Sequence, residues 1–261
     1  MGTVIYIGYF RRFWIDFCRY HRYMRNDDFD QKHALEQKII MKTLIFDFDG
    51  TIVIGSNEKY IQCFWQTVQK NNKSANKAHV YKNIIDNWGK DPKFILSKIL
   101  DNQNETELER NFSIYRRCTD APTFSNGIKL VPGGKKTLIS LHEQGHKLAI
   151  ASASRKQIIT DFLNQFELVN LFSSIISSQD DITDPEKQKP NPYILHETIK
   201  KLNSNPKNTY YIGDAVTDIM AAKNAGVISV AVLTGHLNIT TARQQNPDFI
   251  INSINDLPSV L

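Results

Sequence analysis

Four short runs, Lys147–Ser152, Ser174–Ser177, Thr209–Gly213 and Ile228–Leu233, are apolar through their centres rather than alternating. Helix-like stretches at Lys135–Gln144, Arg155–Phe166, Pro192–Leu202 and Val216–Ala225 precede or separate them. A strand that is apolar without alternation is covered on both faces. Strands that alternate with helices of about ten residues build βα units and a parallel sheet. Thr43–Asp47 supplies the first strand. The expected fold is therefore α/β, and in such sheets ligands bind at the carboxyl ends of the strands.

Residues 55–127 interrupt the alternation. Tyr60, Cys63, Phe64 and Val68, and later Phe94, Ile95, Lys98 and Ile99, fall at helical spacing, and no strong strand is seen. This reads as a small helical module inserted after the first strand, with the core made of 41–54 and 128–261. Pro132-Gly133-Gly134 marks the return to the core as a helix start. Its Gly-Gly-Lys-Lys-Thr does not have the spacing of a phosphate loop. Residues 1–40 form an extension. Its apolar stretch, Gly2 to Phe10, precedes Arg11-Arg12, the reverse of a secretory signal, and is too short to span a bilayer. Position 6, where myristoylation favours Ser or Thr, is Tyr6. Arg19, Arg22 and Arg25 among aromatics would suit a surface helix. The plainer reading takes Met41 as the natural start and 1–40 as an upstream reading.

The net charge of +5 favours anionic ligands, but no dense Lys/Arg stripe interleaved with aromatics points to nucleic acid. No membrane association is expected. Cys18, Cys63 and Cys118 are odd in number and contain no CxxC pair. They are expected to be packing residues of a reducing, cytoplasmic compartment, with no thiolate zinc site.

The chemistry concentrates at four places. Leu44 to Thr51 is an apolar strand ending in Asp47 and Asp49, followed by Gly50-Thr51. Side chains two apart on an extended segment face one way. Two such carboxylates need a cation or a proton between them. The alternative is a strand closing in an ordinary Asp-Gly turn. Ser152 ends a strand, where its hydroxyl and the following backbone N–H groups, beginning with Ala153, suit a phosphate oxygen. A turn or cap would also explain it. Lys189, before Pro190, is either a phosphate ligand or a solvated lysine. Gly213-Asp214 to Asp218 holds a second carboxylate pair, equally readable as helix-end acids. Their conjunction carries the argument. A carboxylate nucleophile can approach an anionic phosphoryl group only if a cation and an ammonium offset the repulsion.

This set resembles the haloacid dehalogenase (HAD) superfamily, in its phosphoglycolate phosphatase-like branch. The carriers are Asp47-Phe48-Asp49-Gly50-Thr51 (DxDGT), Ser152 at a strand end, Lys189-Pro190, and Gly213-Asp214 through Asp218 (GDxxxD). Ala221-Ala222-Lys223-Asn224-Ala225-Gly226 resembles the branch's AAxxAG helix end. The resemblance covers about residues 42–258. It implies a Rossmann-like parallel sheet with helices on both faces and a C1-type helical cap at 55–127. Asp47 would be the nucleophile and Asp49 the general acid–base. Mg²⁺ would be held by Asp47, the Asp49 carbonyl and Asp214. Asp218 would orient Lys189 or metal-bound water. Ser152, Ala153 and Lys189 would bind the phosphoryl oxygens. Two positions depart from the branch: Ile54 stands where an acidic residue is frequent, and Gln188 replaces the glycine before the lysine.

The activity implied is Mg²⁺-dependent hydrolysis of a small phosphorylated metabolite, with phosphoglycolate first and a sugar phosphate or pyrophosphate behind it. A β-phosphoglucomutase-like phosphotransferase is the alternative, although such mutases usually carry Glu-Asp where Gly213-Asp214 stands. A non-catalytic binding module conflicts with the complete acidic set, and a phosphonatase would need a cap lysine that nothing singles out. Lys93, Tyr115, Arg116 and Arg117 are candidates for contacting the rest of the substrate.

Overall fold

The first strand, β1 (Thr43–Phe46), is buried on both sides. Leu44 and Phe46 enter one hydrophobic cluster and Ile45 another, all fully shielded. The computed structural model describes residues 41–100, 104–182 and 184–261. The extension read at 1–40, with Cys18, lies outside the described residues.

After β1 come β2 (Val53–Ile54) and four helices, α1 (Ser56–Asn71), α2 (Lys77–Asp86), α3 (Pro92–Ile99) and α4 (Glu105–Thr119). Their starts follow local chemistry. Asn76 caps α2 through the His79 amide, Asp91 caps α3 ahead of Pro92, and Asn104 with Glu107 forms a capping box on α4. Next are β3 (Lys129–Leu130), α5 (Gly134–Glu143), β4 (Lys147–Ser152), α6 (Lys156–Gln165), β5 (Phe172–Ser177) and the single turn α7 (Ser178–Asp181). Then follow α8 (Tyr193–Leu202), β6 (Thr209–Gly213), α9 (Val216–Ala225), β7 (Ile228–Val232), α10 (Ile239–Gln244) and β8 (Phe249–Ile251).

Six strands form one sheet in the order β5-β4-β1-β6-β7-β8, every pair parallel. Leu138 and Leu141 of α5 and Ile159 and Leu163 of α6 cover the face that carries Leu44 and Phe46. Ile194 and Leu195 of α8 and Ala221 and Ala222 of α9 cover the Ile45 face. The fold is thus the expected α/β sandwich with helices on both sides. Among the described residues no helix is long and apolar enough to cross a membrane.

Register decides where the chemistry gathers. Phe46 pairs with Ile150 on one side and Ile212 on the other. Asp47 therefore leaves the sheet at the same edge as Ser152, two residues past Ile150, and Asp214, two residues past Ile212.

The structure departs from the sequence reading in several places. β5 starts at Phe172, not Ser174, and the sheet gains β8, too short to signal itself. β2 and β3, two residues each, pair antiparallel and bracket the helical segment. Cys63 and Cys118 are not free packing thiols; they form a disulfide between α1 and α4, with Cα atoms 5.6 Å apart. These two helices lie side by side, which spacing along the chain does not reveal.

Candidate active site

Lys189 is the centre of the site, not a solvated lysine: its side chain is 1% exposed. Its ammonium lies 2.6 Å from Asp218 Oδ1 and 3.3 Å from Asp47 Oδ1, and donates to the Tyr211 hydroxyl at 3.2 Å. Burial alone lowers the Lys189 pKa, but Asp218 and Asp47 outweigh it and hold the ammonium well above its ordinary value. Asp218 Oδ2 accepts the Ala215 N–H at 3.0 Å, so Asp218 also caps the start of α9. Tyr211 donates to the Ala151 carbonyl at 2.8 Å and ties this cluster to β4.

Asp214 is fully buried on the other side. Its Oδ2 accepts the His236 N–H at 2.9 Å and the Asn57 amide at 3.5 Å. Asp49 Oδ2 accepts the Ser154 hydroxyl, and Ser154 N–H donates to Ser152 Oγ at 3.2 Å. Burial raises the Asp49 carboxyl, against the pull of the Ser154 and Ser56 hydroxyls. Burial, with repulsion from Asp218 and Asp47, pushes Asp214 well up. Asp47 is raised by burial from 3.8 to about 7; Lys189 draws it down while Asp218 and Asp49 push it up.

The donor set fits a hard divalent cation. Asp47, Asp214 and Asp218 have carboxylate oxygens within 4.8 Å of one another. Both Asp218 oxygens are already engaged, whereas Asp214 Oδ1 is buried without a hydrogen-bond donor and Asp47 Oδ1 is buried with the Lys189 ammonium 3.3 Å away. All available ligands are oxygens, the preference of Mg²⁺ or Ca²⁺. The Asp49 carboxylate is outside this trio. A cation there relieves the repulsion that raises these carboxylates.

A cavity of about 50 Å³ adjoins the cluster, lined by Asp47, Asp49, Ser152, Ala153, Ser154 and Lys189 from the sheet edge. Tyr60, Phe64, Trp88, Ile95 and Tyr115 from the helical segment close it. Residues 44–232 match the family described as haloacid dehalogenase-like hydrolase. The chain belongs to the haloacid dehalogenase-like hydrolase family.

This HAD-like hydrolase is 29% identical over 221 residues to a pyrophosphatase PpaX of Halalkalibacterium halodurans, covering 85% of this chain and 97% of that protein. It is 32% identical over 132 residues to a phosphoglycolate phosphatase of Vibrio vulnificus, which covers 51% of this chain and 56% of that one. A crystal structure of a haloacid dehalogenase-like hydrolase from Bacteroides fragilis superposes with a TM-score of 0.73 at 25% identity, over 83% of this chain and 99% of that one.

The structure of this HAD-like hydrolase brings Asp47, Asp49, Ser152, Ala153, Lys189, Asp214 and Asp218 to one edge. The four residues read as substrate contacts divide. Tyr115 lines the cavity, whereas Arg117 is exposed and not part of the lining. Lys93 is instead paired with Glu105 at 2.6 Å and with Glu109, and Arg116 lies over the Phe112 ring. Sequence reasoning missed Ser154, Tyr60, Asn57, Tyr211 and His236. Ser56 and Tyr60 sit four apart on one helical face, a spacing that marks a shared surface but not its partner.

The Asp47 shift has a consequence for stability. Without metal, the folded state keeps a proton on Asp47 that the unfolded chain has released above 3.8. Its contribution is complete below about 4 and is lost as pH rises through about 7. His236, lowered by burial to about 4, has the opposite trend. Comparing two proteins that both contain His236 cancels its contribution and leaves that of Asp47 with the charges it acts on. In EDTA, Asp47→Asn is expected to gain in melting temperature relative to the wild type between pH 5 and pH 8. A difference that stays flat across that range contradicts the assignment.

Proposed function

We propose that this chain is a Mg²⁺-dependent phosphatase of a small phosphorylated metabolite, with phosphoglycolate as the first substrate to test. The observation that carries this reading is the buried Lys189 ammonium, 3.3 Å from Asp47 Oδ1, in a cluster where Asp214 Oδ1 is buried without a donor. That arrangement supplies positive charge where an anionic phosphoryl group must meet an anionic nucleophile.

Asp47 attacks phosphorus. The bond to the leaving oxygen breaks as Asp49 gives that oxygen its proton, leaving an aspartyl-phosphate. Asp49, now ionised, takes a proton from water, and the resulting hydroxide displaces Asp47 from phosphorus. Phosphate departs with both residues restored. The raised Asp49 pKa suits a group that starts protonated. Bound by Asp47, the Asp49 carbonyl and Asp214, Mg²⁺ would neutralise charge on nucleophile and phosphoryl group alike. Ser152, the Ala153 amide and Lys189 hold the phosphoryl oxygens, and Asp218 fixes Lys189. The helices between β2 and β3 act as a cap that excludes water from the cavity.

A second reading, pyrophosphate hydrolysis, is favoured by the match along 97% of a pyrophosphatase. The test is phosphate release from phosphoglycolate, pyrophosphate and sugar phosphates, with Mg²⁺ and with EDTA. Magnesium-dependent release is expected, with kcat/KM for phosphoglycolate or pyrophosphate at least about tenfold above the sugar phosphates. Sugar 1-phosphate converted to 6-phosphate without release would instead identify a mutase. Turnover undiminished by EDTA would remove the metal from the reading.

A further inference from the structure

We propose that Tyr60 is a positioning residue for Asp49, acting through Ser154, so that the acid–base carboxyl is set from helix α1 and not by the sheet alone. The inference rests on the reading above that Asp49 handles the proton.

The chain of hydrogen bonds has a single sense. The Ser154 hydroxyl donates to Asp49 Oδ2, and the Tyr60 hydroxyl lies 3.0 Å from Ser154 Oγ. A serine hydroxyl has one proton. With that proton directed at Asp49, the Tyr60 O–H is the donor and Ser154 Oγ the acceptor. The order is Tyr60 to Ser154 to Asp49 Oδ2. All three residues are buried, in the wall of the cavity.

The arrangement selects which carboxyl oxygen carries the acid proton. Oδ2 already accepts the Ser154 hydroxyl, whereas Oδ1 is buried with no formed hydrogen bond, Ser56 pulling on the carboxyl more weakly than Ser154. A protonated Asp49 therefore holds its proton on Oδ1, free for a leaving oxygen. Tyr60 is itself held, with its ring 4.8 Å from that of Phe124. Asn57, one turn earlier on α1, reaches Asp214 Oδ2 at 3.5 Å. One helix end thus touches both the acid–base carboxyl and the proposed metal ligand. Catalytic geometry is complete only while α1 stands in this place.

The experiment compares kcat/KM for an alkyl phosphate and for p-nitrophenyl phosphate, in saturating Mg²⁺. An alkoxide leaves only if protonated, whereas p-nitrophenolate is a weak base and gains little from an acid. Loss of acid positioning lowers the alkyl-to-aryl ratio; a packing defect lowers both rates together. In Tyr60→Phe, which conserves volume, the ratio is expected to fall about tenfold. In Ser154→Ala it falls further, and in Ser154→Thr, which keeps the hydroxyl, most of it returns. A wild-type ratio in Tyr60→Phe overturns the relay while leaving the phosphatase reading standing. Wild-type enzyme that turns over neither ester overturns both.

Discussion

Asp47→Asn is expected to stop phosphate release, to at least about 10⁴-fold below the wild type, while the protein stays folded. The amide has nearly the volume of the carboxylate but cannot form the acyl phosphate bond. The fold is expected to survive because Asp47 contributes repulsion as well as attraction. It stands near Asp49, Asp214 and Asp218, and among the described residues Lys189 supplies the ammonium beside them. Removing one negative charge from that group relieves a buried like-charge cluster. Steady-state kinetics and thermal melting of the purified variant check both halves. Mass spectrometry after acid quench adds a direct reading: wild type gains one phosphoryl group on the peptide containing Asp47, and the variant does not. Turnover near the wild-type rate would remove Asp47 from the role of nucleophile.

The second large effect comes from a residue that carries no chemistry. Gly235→Ala is expected to lower kcat/KM by about 10² and to raise the Mg²⁺ concentration needed for half-activity at least about tenfold. A Cβ at Gly235 would stand 1.8 Å from Asp214 Oδ2 and 2.4 Å from its Cγ. Asp214 is fully buried and cannot swing into solvent. Gly50 packs against the same carboxylate, where an added Cβ would lie 2.2 Å from the same oxygen, so Asp214 is held between two glycines. The Gly235 backbone is outside the left-handed region, so alanine is tolerated there conformationally and the effect is steric. The Asp214 carboxylate must shift, and its Oδ2 loses the His236 N–H that aims it. A magnesium titration of activity reads the displacement. An unchanged half-activity concentration would show that Asp214 does not hold the metal.

These two predictions differ in how far the sequence reaches. Asp47 and Asp49 were legible because a strand of known direction ends at them. Ser152 and Asp214 end neighbouring strands of the same kind. In an all-parallel sheet, that is enough to place all four at one edge. Lys189 was legible as a candidate only through its company; by itself, a lysine before a proline is ordinary surface. Gly235 had no signal. Gly-His after a strand reads as a loop, and the requirement for glycine comes from a carboxylate 21 positions earlier in the chain that packs against it.

The disulfide and the Tyr60 relay failed to show for the same reason. Cys63 and Cys118 are 55 residues apart and meet because α1 and α4 are neighbours. Tyr60 and Ser154 are 94 apart and meet because α1 starts at the mouth of the sheet. β8 was missed because three residues after Pro247 and Asp248 give too short a pattern to separate from a loop.

What the sequence determined by itself is the part governed by local periodicity and chain order: a parallel sheet, helices on both faces, and acids at the ends of strands. Burial on two faces imposes an apolar pattern on every central strand, and that pattern is visible one residue at a time. Tertiary structure alone decided which oxygens are free and which are engaged, and which ammonium they share. It also decided which glycines must remain bare. Those properties depend on distances of a few ångströms between segments far apart in the chain, and hydrogen bonding and Coulomb attraction act through such distances, not through sequence position.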